Sequence, residues 1–103
     1  MMTEKKPEPG LVCFLFCQRY WDKEEAFAAY HEAVQTMTDY FEDLGERISI
    51  TPGLVYDEES FEQCLALCKN RITVIVPMSG GTQNRMLKIG KASKAVVMVQ
   101  GYY

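Results

Sequence analysis

Four cysteines pose the first chemical question in this 103-residue chain, because they stand in two equally spaced pairs, Cys13 with Cys17 and Cys64 with Cys68. A structural zinc site would need all four sulfurs to converge at about 2.3 Å from one ion. Cys13 and Cys17 sit in and just after an apolar run that reads as a strand, where four residues span roughly 13 Å at ~3.3 Å each. Cys64 and Cys68 share one face of a helix, but that face carries the helix's apolar stripe. The pattern therefore predicts buried free thiols in a reducing compartment and no metal site. Cys17 differs, because it closes the first strand, where a reactive thiol would be reachable. A phosphocarrier or thiol enzyme would need a phosphate-cradling loop directly after it, and Gln18-Arg19-Tyr20-Trp21 contains neither glycine nor serine.

Two stretches carry stronger chemical potential. In Ser79-Gly80-Gly81-Thr82-Gln83 the paired glycines let the backbone turn tightly and approach a ligand closely. Thr82 can cap a following helix, whose first amides favour an oxyanion or a sugar hydroxyl. Ser79 and Gln83 add side-chain hydrogen bonds. The same residues also satisfy a plain strand-to-helix turn. In Gln18-Arg19-Tyr20-Trp21, planar polar groups stand beside aromatic faces, which suits sugar binding, and Trp21 alone could equally anchor a helix on a sheet. His31 is the single histidine and adjoins a helical apolar stripe, so no histidine pair exists to hold a metal. The acids from Asp22 onward and at Asp57-Glu58-Glu59 read as caps and solvated faces, with no paired catalytic carboxylates.

The elements that must position these residues follow from periodicity. Leu11–Phe16 is an unbroken apolar run and predicts a strand buried on both faces. Phe27, Tyr30, Val34, Met37, Phe41 and Leu44 recur at spacings of three and four and predict a helix over 23–45, capped by Asp22 and closed by Gly45. Residues 47–51 predict a second strand broken at Pro52-Gly53, with 54–56 as loop. Asp57 caps a predicted helix through about Asn70, with Phe61, Cys64, Leu65 and Cys68 inward. Residues 72–76, rich in β-branched side chains, predict a third strand. A short helix over 84–89, closed by Gly90, and a strand over 95–99 complete the pattern.

Strict alternation of strands and helices with short loops predicts an α/β fold, a three-layer parallel sheet of about four strands in the order 2-1-3-4, flavodoxin-like or Rossmann-like. In that order the winding reverses between the first and third strands, and ligands bind beyond the carboxyl ends at such a point. The two loops singled out above fall there.

Composition agrees with one soluble domain: apolar residues are 48%, charged residues 24%, and the net charge is −3. The charge is uneven. Residues 20–62 hold twelve acids and two bases, whereas residues 63–103 hold six bases and no acid. A basic end of this kind can meet an acidic neighbour or an anionic ligand. The basic stretch is short and poor in stacking aromatics, which argues against a nucleic-acid partner. Residues 1–9 read as a polar, flexible leader, no run is long enough for a signal core or membrane span, and a cytoplasmic location is expected.

The stretch Ile72-Thr73-Val74-Ile75-Val76-Pro77-Met78-Ser79-Gly80-Gly81-Thr82, then a short helix and Ala95-Val96-Val97-Met98-Val99, resembles the first domain of the L-fucose isomerase and L-arabinose isomerase superfamily. The long helix ending at Leu44-Gly45, the second strand and the Gly53-Leu54-Val55 segment match the same layout, and Gln18-Arg19-Tyr20-Trp21 falls where those domains have a polar-aromatic loop. The similarity covers roughly residues 10–103. It implies an aldose–ketose isomerase that uses manganese or another divalent metal, with metal ligands in later domains absent from this chain. It also implies that Gln18, Arg19, Tyr20, Trp21 and Ser79, Gly80, Gly81, Thr82, Gln83 are accessory substrate or interface residues, that residues 10–103 are one domain truncated on its C-terminal side, and that the chain is inactive alone. Its partners would be the remaining isomerase domains or an identical subunit. The alternative is a stand-alone module that holds a small sugar or phosphosugar.

Overall fold

A computed structural model of the chain describes residues 10–43 and 50–99. Its elements are β1 (Gly10–Leu15), α1 (Lys23–Asp43), β2 (Ile50–Val55), α2 (Glu58–Leu67), β3 (Ile72–Pro77), α3 (Gln83–Ala92) and β4 (Ala95–Met98). The strands form one all-parallel sheet in the order β2-β1-β3-β4. This is the three-layer flavodoxin-like arrangement expected from the alternation of elements. β1 is paired on both sides, with Cys13 opposite Gly53 of β2 and Ile75 of β3. Leu11 to Phe16 are all buried, which is why that run carries no polar residue.

Alternation along β1 divides the core. Leu11, Cys13 and Leu15 pack with Ile75 against Phe61, Cys64 and Cys68 of the α2 side and Ile89 of α3. Val12, Phe14 and Phe16 point the other way and pack with Val76 and Met78 under α1. Buried Thr73 stays satisfied because its hydroxyl lies 2.8 Å from that of Ser93, which itself donates to the Ile89 carbonyl.

Several boundaries differ from expectation. β2 runs straight through Pro52-Gly53, and Leu54 and Val55 belong to the strand. It is an edge strand, where a proline's missing N–H can face away from the ladder. Residues 47–49, Leu44 and Gly45 lie outside the described residues. α3 passes through Gly90 and ends at Ala92; a Cβ at Gly90 would make an ordinary contact with Val96 of β4 at 3.7 Å, so the glycine does not stop the helix. α2 stops at Leu67 and the chain turns through Asn70, whose φ of 60° suits asparagine. Of the expected α1 stripe, Tyr30, Val34 and Met37 face the core and Phe27 does not. Ala26 is fully buried, with Ala29, Tyr30, Ala33, Val34 and Met37 packed against the core, while Phe27 is exposed beneath the Lys23 ammonium. Small alanines let the helix sit close to the sheet, and they carried less weight in a hydrophobic period than Phe27 did.

Candidate functional site

The loops that follow β1 and β3 meet at the carboxyl end of the sheet, at the point where the strand order reverses. Phe16 continues the ladder by donating to the Val55 carbonyl at 2.8 Å, and Met78 donates to the Leu15 carbonyl at 2.8 Å. The Cys17 amide then donates to the Ser79 hydroxyl at 2.9 Å, which ties one loop to the other. The Cys17 carbonyl accepts from the Tyr20 and Trp21 amides, closing the first loop into a turn. Trp21 stacks edge-on against Phe16 with ring centroids 5.1 Å apart, and its carbonyl accepts from the Tyr56 hydroxyl at 2.9 Å.

Gly81 is the hinge of the contact. Its φ is +78°, a conformation that L side chains rarely adopt. A Cβ on it would stand 3.0 Å from the Cys17 sulfur and 3.4 Å from the Tyr20 ring. Gly80, by contrast, has open space around it. The two glycines thus do separate work: Gly81 lets the loops touch, and Gly80 leaves backbone open to an approaching group.

The candidate residues divide by exposure. Gln18, Arg19, Tyr20, Gly81 and Gln83 are exposed, and Trp21 and Gly80 are half-buried. Ser79 and Thr82 are buried, and their hydroxyls are spent within the loop: Ser79 donates to the Gly80 carbonyl and Thr82 to the Ser79 carbonyl. Thr82 occupies the N-cap position of α3 without a side-chain capping bond, contrary to the cap expected of it. The other two helices are capped as expected. Asp22 accepts from the Glu25 amide at 2.8 Å, and Asp57 forms a reciprocal capping box with Ser60. The bonds from Ser60 hold the Asp57 carboxyl below its usual range. The Glu25 amide does the same for Asp22, while the neighbouring Asp22 raises Glu25.

Two positioning residues escaped sequence reasoning. Arg85 donates to the Tyr56 carbonyl at 3.0 Å, pairs with Glu58 at 3.5 Å and lies over the Phe61 ring, so it binds α3 to the end of β2. Nothing in its sequence context marks it. Tyr56 could have been found, since it follows β2 at the same edge as the other loops. Beside it opens a polar cleft of about 230 Å³, lined by Lys23, Phe27, Tyr56, Asp57, Glu59 and Gln63, one strand away from the β1–β3 junction.

All four cysteines are free thiols, Cys17 half-buried and the others buried. Cys13, Cys64 and Cys68 share one core cluster. The hydrogen bond to Cys64, and after it burial, push the Cys13 thiol well up, so it stays protonated and inert. His31 is exposed beside the Tyr30 ring. Among the described residues no group of three or more His, Cys, Asp or Glu could hold a metal ion. Among the described residues no helix is long and apolar enough to cross a membrane. No family model, no curated protein and no solved structure matches this chain.

Proposed function

We propose that this chain acts as the N-terminal, substrate-facing domain of an aldose–ketose isomerase-like protein and is inactive alone. The observation that supports this reading most is the junction of the β1 and β3 loops. There the Cys17–Ser79 bond and Gly81 hold Gln18, Arg19, Tyr20 and the open backbone at Gly80 together at the switch point of a parallel sheet. Exposed amide and guanidinium groups beside an aromatic ring are suited to hydroxyls and CH faces of a sugar. The described residues offer no metal donor set, so on this reading the metal and the catalytic groups would come from other domains or a partner subunit.

A second reading, a stand-alone module for a sugar or phosphosugar, draws on α3. Its N-terminus adjoins the same loop and lacks the side-chain cap that α1 and α2 possess. The intact mass of the native product in its source cell separates the two. A mass far above 11.8 kDa, or stable co-purification with a larger subunit, is the expected result. A native mass near 11.8 kDa with no partner would overturn the isomerase-domain reading and put the module first.

A further inference from the structure

Among the described residues, the face of the sheet that carries α1 is covered over only part of its width. α2 and α3 both pack on the opposite face, and among the described residues α1 is the one helix on this side. Beside it, β3 and β4 present apolar side chains that no described helix covers. Ile72 is 55% exposed and Val97 52% exposed. Val97 stands opposite Val74 in the β3–β4 register, and Val74 and Val99 are half-buried against the α1-side core. Contiguous exposed apolar surface of this kind marks an interaction site.

The flank of α1 that borders this floor is shaped and charged in a particular way. A groove of about 230 Å³ runs between α1 and the end of β3, lined by Ala29, Glu32, Ala33, Thr36 and Met78. Ala29, Ala33 and Thr36 are short side chains at helical spacing, so a second helix could approach α1 closely across the β3–β4 floor. Glu25, Glu32 and Asp39 recur every seven residues and therefore share that flank, and all three are exposed. No basic residue follows Lys23 on α1. An occupant must bring apolar side chains for Ile72, Val74 and Val97 and positive charge for the acidic line.

We propose that the open half of the α1 face receives an amphipathic, basic helix of a partner protein, laid alongside α1 over β3 and β4. A second copy of this chain is disfavoured as the occupant by charge. Its own α1 would set acidic line against acidic line, and its basic α3 exposes Leu87 as its one large apolar side chain. The inference is independent of the sugar-facing loops at the carboxyl end.

The test uses two fluorescent synthetic helices of about 18 residues with the same Leu/Ala face, one with lysines and one with glutamates on the polar face. Anisotropy titration against the full chain is expected to show saturable binding of the lysine peptide, weakened by salt, and binding of the glutamate peptide weaker by about tenfold or more. Ala33→Trp, which fills the groove, and Val97→Glu, which charges an exposed floor position without touching the core, should each lower the lysine-peptide affinity by about tenfold. Leu87→Ser on α3 should leave it unchanged. Equal binding of the two peptides, no binding of either, or affinity undiminished in both groove variants would overturn the proposal. A dimer in sedimentation velocity that Val97→Glu dissociates would also overturn it, by assigning the face to a second copy.

Discussion

Gly80 and Gly81 are adjacent, yet the structure gives them opposite tolerances. Gly81→Ala must adopt a left-handed conformation and press its Cβ toward the Cys17 sulfur, so it is expected to cost about 1–2 kcal/mol in denaturant unfolding. Gly80→Ala meets nothing and should stay within about 0.5 kcal/mol of the parent. Equal effects would mean that the loops do not meet as described. The Gly-Gly-Thr turn was legible in the sequence because glycine pairs are turn formers; which glycine carries the strain was not, since that depends on Cys17 folding back from another loop. Asp57 gives a second prediction. Its carboxyl is held low by Ser60, so the cap stabilises the ionised form. That contribution is complete above the unfolded carboxylate value near pH 4 and is lost as pH falls through the lower folded value. Acid unfolding should therefore separate Asp57→Asn from the parent at neutral pH and bring them together in strong acid; a gap independent of pH would contradict the assignment.

At the scale of elements, the close seating of α2 on β2 depends on one missing side chain. A Cβ on Gly53 would stand 2.8 Å from the Cys64 sulfur, with Leu11 and Val12 atoms at 3.6 Å. Gly53→Ala should destabilise by about 1–3 kcal/mol through overpacking. Cys64→Ala removes the sulfur it collides with, so the double variant should be more stable than the two single effects predict. Simple additivity in urea unfolding would show that α2 does not bear on β2 at this point. The sequence read Pro52-Gly53 as the end of a strand; the sheet uses the same pair inside an edge strand, the proline tolerated at the edge and the glycine admitting a helix. In the α1 stripe Tyr30, Val34 and Met37 were legible, and Phe27 was misplaced for a related reason. Ala26, Ala29 and Ala33 mark close approach, which hydrophobic periodicity undervalues, whereas the α2 stripe of Phe61, Cys64 and Cys68 was legible because its members are large or buried on type alone.

For the whole molecule, alternation of elements was enough to predict the parallel order β2-β1-β3-β4, because handedness and short connections leave few other routes for the chain. That order in turn placed the two candidate loops side by side. Sequence could not reveal that Ser79 and Thr82 turn their hydroxyls inward, leaving the outward surface to Gln18, Arg19, Tyr20, Gln83 and the Gly80 backbone. Under the proposed function this junction is the surface that would meet substrate. The most direct test is an amide-resolved NMR titration of the isotope-labelled chain with L-arabinose and with L-fucose. The account predicts weak, saturable shifts in residues 17–21 and 79–84, with the amides of β4 and of α2 unmoved. Absence of any saturable shift with either sugar, or shifts confined to the Lys23–Gln63 cleft at the end of β2, would contradict it.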